Sequence, residues 1–486
     1  MVERKPVPKG RCPLHVGRRG FLCSLGTSAL AFKMGILDFA SELLGAEPAA
    51  APAAPGKPVV HAAFLRPKTD KYWMGWPGAC YDVKGSQELY TKTMAEAAKS
   101  LGVELVAHQE PLDSIEAANA FIEKMKAAQP QGVVLSLQHM DRWGVANHFA
   151  TNKGDIPTIV FSPMGTSFTG HLGATRNATK CFCAATQDVG WLAFAMKMFK
   201  TMWDMKNARL CIVHGDKSSD QQLDVIGTTL HHVPRSRFPD ELKKVQEAGE
   251  AKALAEVFRK EAKDIKEPNP ADVLNAAENY LAARRIMEAE NCQGIAMDCL
   301  GLVGSRIIPC PPCMAWLKLN DEGFVGGCEA DTGAAISLLL SSKLFGRPGF
   351  MQDPAPNSVN NTLMGAHCSC PTKLDGLDKP GHEPVILRSH SESNIGVSPQ
   401  VLWRPGQKVT IMKFGGPGNI ILGTGKVVSN VDTPPSGGCR TSVELELDGV
   451  PDARDAQGFH QLFIYGDLEK PFKAYCQLAG IKVAHI

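Results

Sequence analysis

"GGCEADTGAAISLLLSSKLFGRPGFMQD", Gly326 to Asp353, is the stretch on which the reading of the fold turns. From Thr332 to Leu344 it has the composition of a buried helix; Gly346 stands where a left-handed stop belongs, and Pro348 follows it. The chain then returns through the extended "GFMQD". A helix of about 14 residues advances about 21 Å, and about seven extended residues cover about 23 Å in the opposite direction. Helix out and strand back therefore return Asp353 to the level of Glu329, so two carboxylates distant in the chain can face one site. A plainer account stands beside this one. Acidic side chains are favoured at the positive, N–H-rich start of a helix, which suits Glu329 and Asp331, and Asp353 could simply end a strand before Pro354. If the helix begins at Thr332, Asp331 is its natural cap.

Upstream of this stretch, "PVVHAAFL", "VELVAH", "GVVLSLQ" and "PTIVFSP" are short β-branched apolar runs. Amphipathic segments such as "GSQELYTKTMAEAAKSLG" and "SIEAANAFIEKMKAAQ" separate them, the pattern of βαβ units on a parallel sheet. A second unit restarts at "ATQDVGWLAFAMKMFKTMW" and continues through the strand-like "ARLCIVHG" and "GIAMDCL". Between these lies a helix with Asn269 as cap and Pro270 at its first position. No Gly-rich phosphate loop follows any of these strands, so the pattern implies no nucleotide. From about residue 380, "PVILRSH", "KVTIMKF", "NIILGTGKVVSN", "RTSVELEL" and "HQLFIYGD" read as strands between Gly, Pro and Asn turns, and "KPFKAYCQLAG" as a closing helix. The fold class expected is α/β: two doubly wound Rossmann-like α/β domains, 58–170 and 171–325, followed by a C-terminal antiparallel β-barrel-like domain that carries the candidate site, 326–486.

The chain has 486 residues, 44% hydrophobic and 21% charged, with 52 basic against 50 acidic side chains and a net charge of +2. That balance gives no electrostatic case for nucleic acid or an anionic membrane; a small polar substrate fits better. "GRRGFLCSLGTSALAF", with Arg18 and Arg19, resembles a twin-arginine signal leading into an Ala/Pro linker, so residues 1–57 imply export to the periplasm by the twin-arginine machinery. Lys33 and Asp38 interrupt its apolar run, which argues against stable membrane insertion. The alternative is a disordered basic tail on a cytoplasmic protein. Fifteen cysteines cannot all pair within one chain, which fits transport of an already folded protein with reduced thiols.

Two cysteine motifs carry a competing reading. "CPPC", Cys310 to Cys313, has the spacing of a redox pair or of half a zinc site, and "CSC", Cys368 to Cys370, could complete the latter. The motif does not open a helix after the first strand of a small βαβ domain, as a thioredoxin-like pair would.

Residues 309–371, with their Pro-Cys, Leu319-x-Asp321-x-Gly323 and Cys328-Glu329-x-Asp331 in this order, resemble the core of the L-fucose isomerase and L-arabinose isomerase family, in its divergent fucose isomerase-like members. "FHQLFIYGDLEKPFKAYCQLAGIKV" is similar to the family's closing His-containing strand and helix. The resemblance covers residues 290–486, and upstream only the α/β texture agrees. It implies a metal-dependent aldose–ketose isomerase acting on a free sugar, with Glu329 and Asp353 as metal ligands and acid/base pair and His460 as a further ligand. His367 falls where the arabinose branch has another histidine ligand. It also implies Mn²⁺, with Mg²⁺ or another divalent cation as alternatives, and a homo-oligomer.

Such chemistry moves a proton between C1 and C2 and another between O1 and O2, through a cis-enediol that needs a base and an acid. Two carboxylates can divide that work, and a hard divalent cation on oxygen and imidazole ligands can polarise the carbonyl. Arg66, Trp73 and Trp76 are candidate sugar-facing groups; Arg440 matches a recurring Arg-Thr of the family. An exported sugar-binding protein of the same fold, without catalysis, remains the alternative function.

Overall fold

The computed structural model describes residues 56–73, 80–432 and 439–486. The expected export signal and its linker lie outside the described residues, apart from Gly56 and Lys57. Among the described residues no helix is long and apolar enough to cross a membrane.

The first sheet holds β1 (Val59–Leu65), β2 (Glu104–Ala107), β3 (Gly132–Leu137), β4 (Thr158–Ser162) and β5 (Cys181–Ala185), all parallel in the order β2-β1-β3-β4-β5. The crossovers are α1 (Val83–Leu101), α2 (Ile115–Ala128) and α3 (Trp143–Asn152). Their ends follow from local chemistry. The Asp82 carboxylate accepts from Gly85 N–H and Gly102 closes α1 in the left-handed region; Ser114 caps α2. β3 is buried throughout, as a central strand covered on both faces must be. The sheet reaches past residue 170, because "CFCAA" pairs in parallel with β4 as its last strand, a run too short to signal a strand on its own.

Helix α4 (Gly190–Asn207) leads into a second sheet of β6 (Arg209–Val213), β7 (Ser219–Gln222), β8 (Thr229–Val233), β9 (Gly294–Met297) and β10 (Val325–Cys328). Its order is β10-β9-β6-β8-β7, parallel except for the exposed polar edge strand β7. Around it lie α5 (Arg237–Ala248), α6 (Lys252–Glu261), α7 (Pro270–Ala289) and α8 (Cys313–Asp321). As the sequence implies, Asn269 caps α7, accepting from Ala271 and Asp272 N–H while Asp272 accepts from Asn269 N–H, with Pro270 at the first position.

Helix α9 (Thr332–Phe345) then crosses into the third part: β11 (Phe350–Asn357), β12 (Thr362–His367), β13 (Val385–Arg388), β14 (Ser398–Val401), β15 (Lys408–Gly416), β16 (Asn419–Asn430), β17 (Thr441–Leu447) and β18 (Gln461–Tyr465). Strands β15-β18-β11-β12-β17-β16 are antiparallel neighbours, and β16 pairs back to β15, closing a six-stranded barrel that leaves no free edge. Helix α10 (Glu469–Ala479) follows, and β19 (Lys482–His485) adds to β16 in parallel. β13 and β14 form a separate small sheet, to which Asp264 and Ile265 add in parallel beside β13.

α9 is apolar almost all round because it is buried from every side. One continuous apolar cluster joins Val60 and Phe199 of the first part, Leu210 of the second, Leu338, Leu339 and Leu340 of α9, and Met412, Leu462 and Phe472 beyond it. The sheets and the barrel therefore share one core in addition to the separate clusters that each closes for itself.

β10 is held against α8 by a tight contact. Asn320 Nδ2 donates to Gly326 O at 2.9 Å and its Oδ1 accepts from Gly326 N at 3.1 Å. A Cβ on Gly326 would stand 2.7 Å from Trp316 Cα and 3.0 Å from its carbonyl oxygen, both backbone. Gly326→Ala should therefore destabilise the protein by about 1–3 kcal/mol, read as a lower urea midpoint with an unchanged slope. An unshifted midpoint would mean that this contact is not as close as described.

Candidate active site

Ligands of parallel α/β sheets gather beyond the carboxyl ends of the strands. Glu329 is the first residue past the carboxyl end of β10. It adopts φ 56°, and Ala330 follows at φ 51°, both in the left-handed region that side-chain-bearing residues avoid. That turn costs on the order of 1–2 kcal/mol per residue and points the chain into α9. His460, at φ 52°, makes a matching turn immediately before β18. Strain at such positions persists only where surrounding structure fixes it, which is the usual condition of functional loops.

The barrel supplies the other side. β11 pairs with β18 through Phe350, Met351 and Gln352, and Gln352 lies opposite Gln461. From Asp353 onward β11 pairs only with β12, Asp353 lying opposite Ala366. Asp353, His367 at the end of β12 and His460 at the start of β18 thus occupy one level of the barrel wall, where β11 and β18 part. This also explains why the strand continues through Pro354 and Pro356, where the sequence suggested an end. On that side no partner needs their missing N–H groups.

The geometry brings the predicted residues together. His460 Nε2 lies 3.1 Å from Asp353 Oδ1 and 3.4 Å from Glu329 Oε2. His367 Nε2 is 3.8 Å from Glu329 Oε1, and the two imidazole centroids are 5.5 Å apart. Glu329, His367 and His460 each offer a donor atom within 4.8 Å of the others. The two ring nitrogens and Asp353 Oδ1 are buried without a hydrogen-bond partner, an arrangement costly unless something else satisfies them. Oxygen and imidazole donors around unpartnered atoms suit a hard divalent cation.

Asp331, expected as a cap, is one and does more. Its Oδ1 accepts from Ala334 N–H at 2.7 Å, while its Oδ2 accepts from Lys413 Nζ at 2.7 Å and from His460 Nδ1 at 2.9 Å. A proton held on Nδ1 leaves the Nε2 lone pair free toward Glu329 and Asp353, the way carboxylates orient metal-binding histidines. Burial would raise the Asp331 carboxyl, but His460, Lys413 and the helix-start N–H together hold it far below the usual carboxylate range. Burial likewise opposes charge on His460, yet Asp331, Asp353 and Glu329 outweigh it and lift the ring to about 10. Without a cation, a proton is the charge that these carboxylates gather.

His367 is set differently. The Cys368 backbone N–H donates to its Nδ1 at 2.9 Å. A neutral ring so engaged carries its proton on Nε2 and faces Glu329 as a donor rather than as a lone pair.

Of the proposed sugar-facing residues, Arg66 and Arg440 are engaged in hydrogen bonds of their own. Arg66, at the carboxyl end of β1, donates to Gln87 Oε1 at 2.7 Å and to the carbonyls of Pro67 and Thr69. Trp76 and the side chain of Trp73 lie outside the described residues. Arg440 is buried, donating from Nε to Ser389 O at 2.7 Å and from Nη2 to Ser389 Oγ at 3.1 Å. The structure also separates the motif cysteines. Cys310 Sγ accepts from Val397 N–H at 3.3 Å and Cys370 Sγ from Trp403 Nε1 at 3.4 Å, so neither motif closes as a pair. Lys413 was not foreseen; its signal is a charge inside the apolar run "VTIMKF".

The chain is similar to the sulfoquinovose isomerase of Clostridium sp. (strain MSTE9), with 24% identity over 201 residues. The match takes in 38% of this chain and 43% of that protein, so the chain spans less than half the length of the curated relative it matches. A sugar isomerase is thus among its distant relatives. No protein-family model matches the chain.

Removing Asp331 should be costlier than removing its cation. Asp331→Ala loses a cap and takes from the buried Lys413 its ion pair, a loss of about 2–4 kcal/mol. Lys413→Met keeps the cap and the His460 bond and should cost under about 1.5 kcal/mol. Urea unfolding of the two chelator-treated variants checks this order, and equal losses would contradict it.

Proposed function

We propose that this chain is a metal-dependent aldose–ketose isomerase acting on a free sugar. The observation that carries the reading is the convergence of Glu329 and Asp353 on His460 Nε2, which is buried and makes no well-formed hydrogen bond, with Asp331 bound to the far side of the ring. The distant sugar-isomerase relative supports it. Glu329, Asp353 and His460 would hold the cation, with His367 as a neighbouring donor.

The cation, Mn²⁺ by resemblance to the fucose isomerase type, would polarise the sugar carbonyl and anchor O1 and O2 when bound. The chain's own groups do the proton work. One of Glu329 and Asp353 removes the carbon-bound proton to give the cis-enediol, and the other returns a proton at the neighbouring carbon. Their side chains are 30% and 37% exposed, against 3% for His460, so they border open space while the imidazole stays fixed behind them. Asp331 positions that imidazole and touches no substrate. The sugar expected is a fucose- or arabinose-type aldose; sulfoquinovose, which gives the relative its name, belongs in any panel.

Incubating the protein with a panel of aldoses and Mn²⁺ should yield one ketose, and chelation should abolish the conversion until Mn²⁺ is restored. Glu329→Gln and Asp353→Asn should each lower turnover by about 10²–10⁴-fold with the melting curve retained. Asp331→Asn should weaken Mn²⁺ binding or activity by about 10–100-fold. Full activity in Glu329→Gln would refute the assignment. Sugar and metal binding without turnover on any aldose would replace it with the binding-protein reading.

A further inference from the structure

Behind the carboxylate site lies a second group of donors of opposite chemical character. Cys313 opens α8, Cys328 ends β10, Cys368 follows β12, and His390 lies two residues beyond β13. Four separate elements thus deliver three thiols and an imidazole to one place, and all four side chains are buried. The donor atoms of Cys313, Cys368 and His390 lie within 4.8 Å of one another, as do those of Cys328, His367 and Cys368. Cys368 is the hub, since it belongs to both groups.

A tetrahedral ion with sulfur at about 2.3 Å and nitrogen at about 2.0–2.1 Å needs donors about 3.5–3.8 Å apart. The trio, within 4.8 Å, reaches that spacing if its donors close in by up to about 1 Å. At His390, Ser393 Oγ lies 2.9 Å from Nδ1 and Ser393 N–H approaches the same nitrogen at 3.3 Å, so a metal taken at Nε2 displaces the proton that a neutral ring so engaged carries there. The backbone that holds it is also fixed, since the buried Arg440 donates twice to the preceding Ser389.

We propose that Cys313, Cys368 and His390 form a closed structural site for a soft or borderline cation, Zn²⁺ foremost, with Cys328 or Cys439 as fourth donor. No carboxylate belongs to the trio, and thiolate with imidazole selects zinc over Mn²⁺ or Mg²⁺. Binding releases the thiol protons to solvent and involves no redox change. Each of the two cysteine motifs contributes one ligand, Cys313 and Cys368, while Cys310 and Cys370 pack elsewhere. The site would clamp the segments that bear Glu329 and His367, each adjacent in sequence to a cysteine of the cluster. It does not depend on the isomerase reading.

The test is metal analysis of the full chain purified without chelator, followed by exchange of the bound metal for Co²⁺. One zinc per chain is expected, with a thiolate-to-cobalt charge-transfer band after exchange. Glu329→Gln should keep both signals, and so should the remote Cys476→Ser. Cys313→Ser and His390→Ala should each lower zinc occupancy by roughly tenfold or more. Should either variant fail to fold, stoichiometric zinc release from the wild-type chain on mercurial titration of its thiols decides the matter. Absence of zinc together with no thiolate band after Co²⁺ addition would overturn the proposal, as would loss of the metal in Glu329→Gln.

Discussion

The carboxylate of Asp331 is the joint on which the site depends. It closes the start of α9, neutralises a buried lysine from the barrel strand β15, and holds the His460 ring by Nδ1. Those three partners belong to the helix, to the barrel wall and to the turn before β18. A single side chain thereby fixes the second α/β sheet against the barrel at the point where their functional residues meet. Burial penalises every charge in this group, yet the carboxylate, ammonium and imidazole compensate one another, so the group is stable as a set and the loss of its shared member, Asp331, is the costly break.

Around that joint the architecture has a simple logic. The parallel sheet ends in a strained turn that presents Glu329, and the barrel opens at Asp353 and His460 where two strands part. Helix α9 links them and is buried along its length because the core is shared across all three parts. The thiol cluster lies on the inner side of the same turns, so hard donors face outward and soft donors face the core. This segregation lets one short sequence, Cys328-Glu329-Ala330-Asp331, contribute to both environments.

Much of this was legible in the chain. Gly346 and Pro348 marked the end of α9, and simple helix and strand lengths returned Asp353 to Glu329. Asn269 and Pro270 announced the start of α7. The alternation of apolar runs and amphipathic segments gave both parallel sheets, and the Gly-rich strand runs gave the barrel. What was not legible depended on partners distant in the chain. Asp331 looked like a cap because its cap bond is local, whereas its bonds to Lys413 and His460 cross 82 and 129 positions. The cysteine motifs misled for the same reason. Spacing suggested a pair within CPPC or a zinc site completed by CSC, whereas the donor group with His390 takes in Cys313 and Cys368, one cysteine of each motif.

The central claim is that Glu329, Asp353 and His460 enclose a cation. It is tested most directly by crystals of the chain grown with Mn²⁺ and measured at the manganese absorption edge. The account predicts one anomalous peak between these three side chains, with His460 presenting Nε2 and Asp331 retained on Nδ1. A well-ordered site with no peak there, or with manganese bound only at other residues, would contradict it.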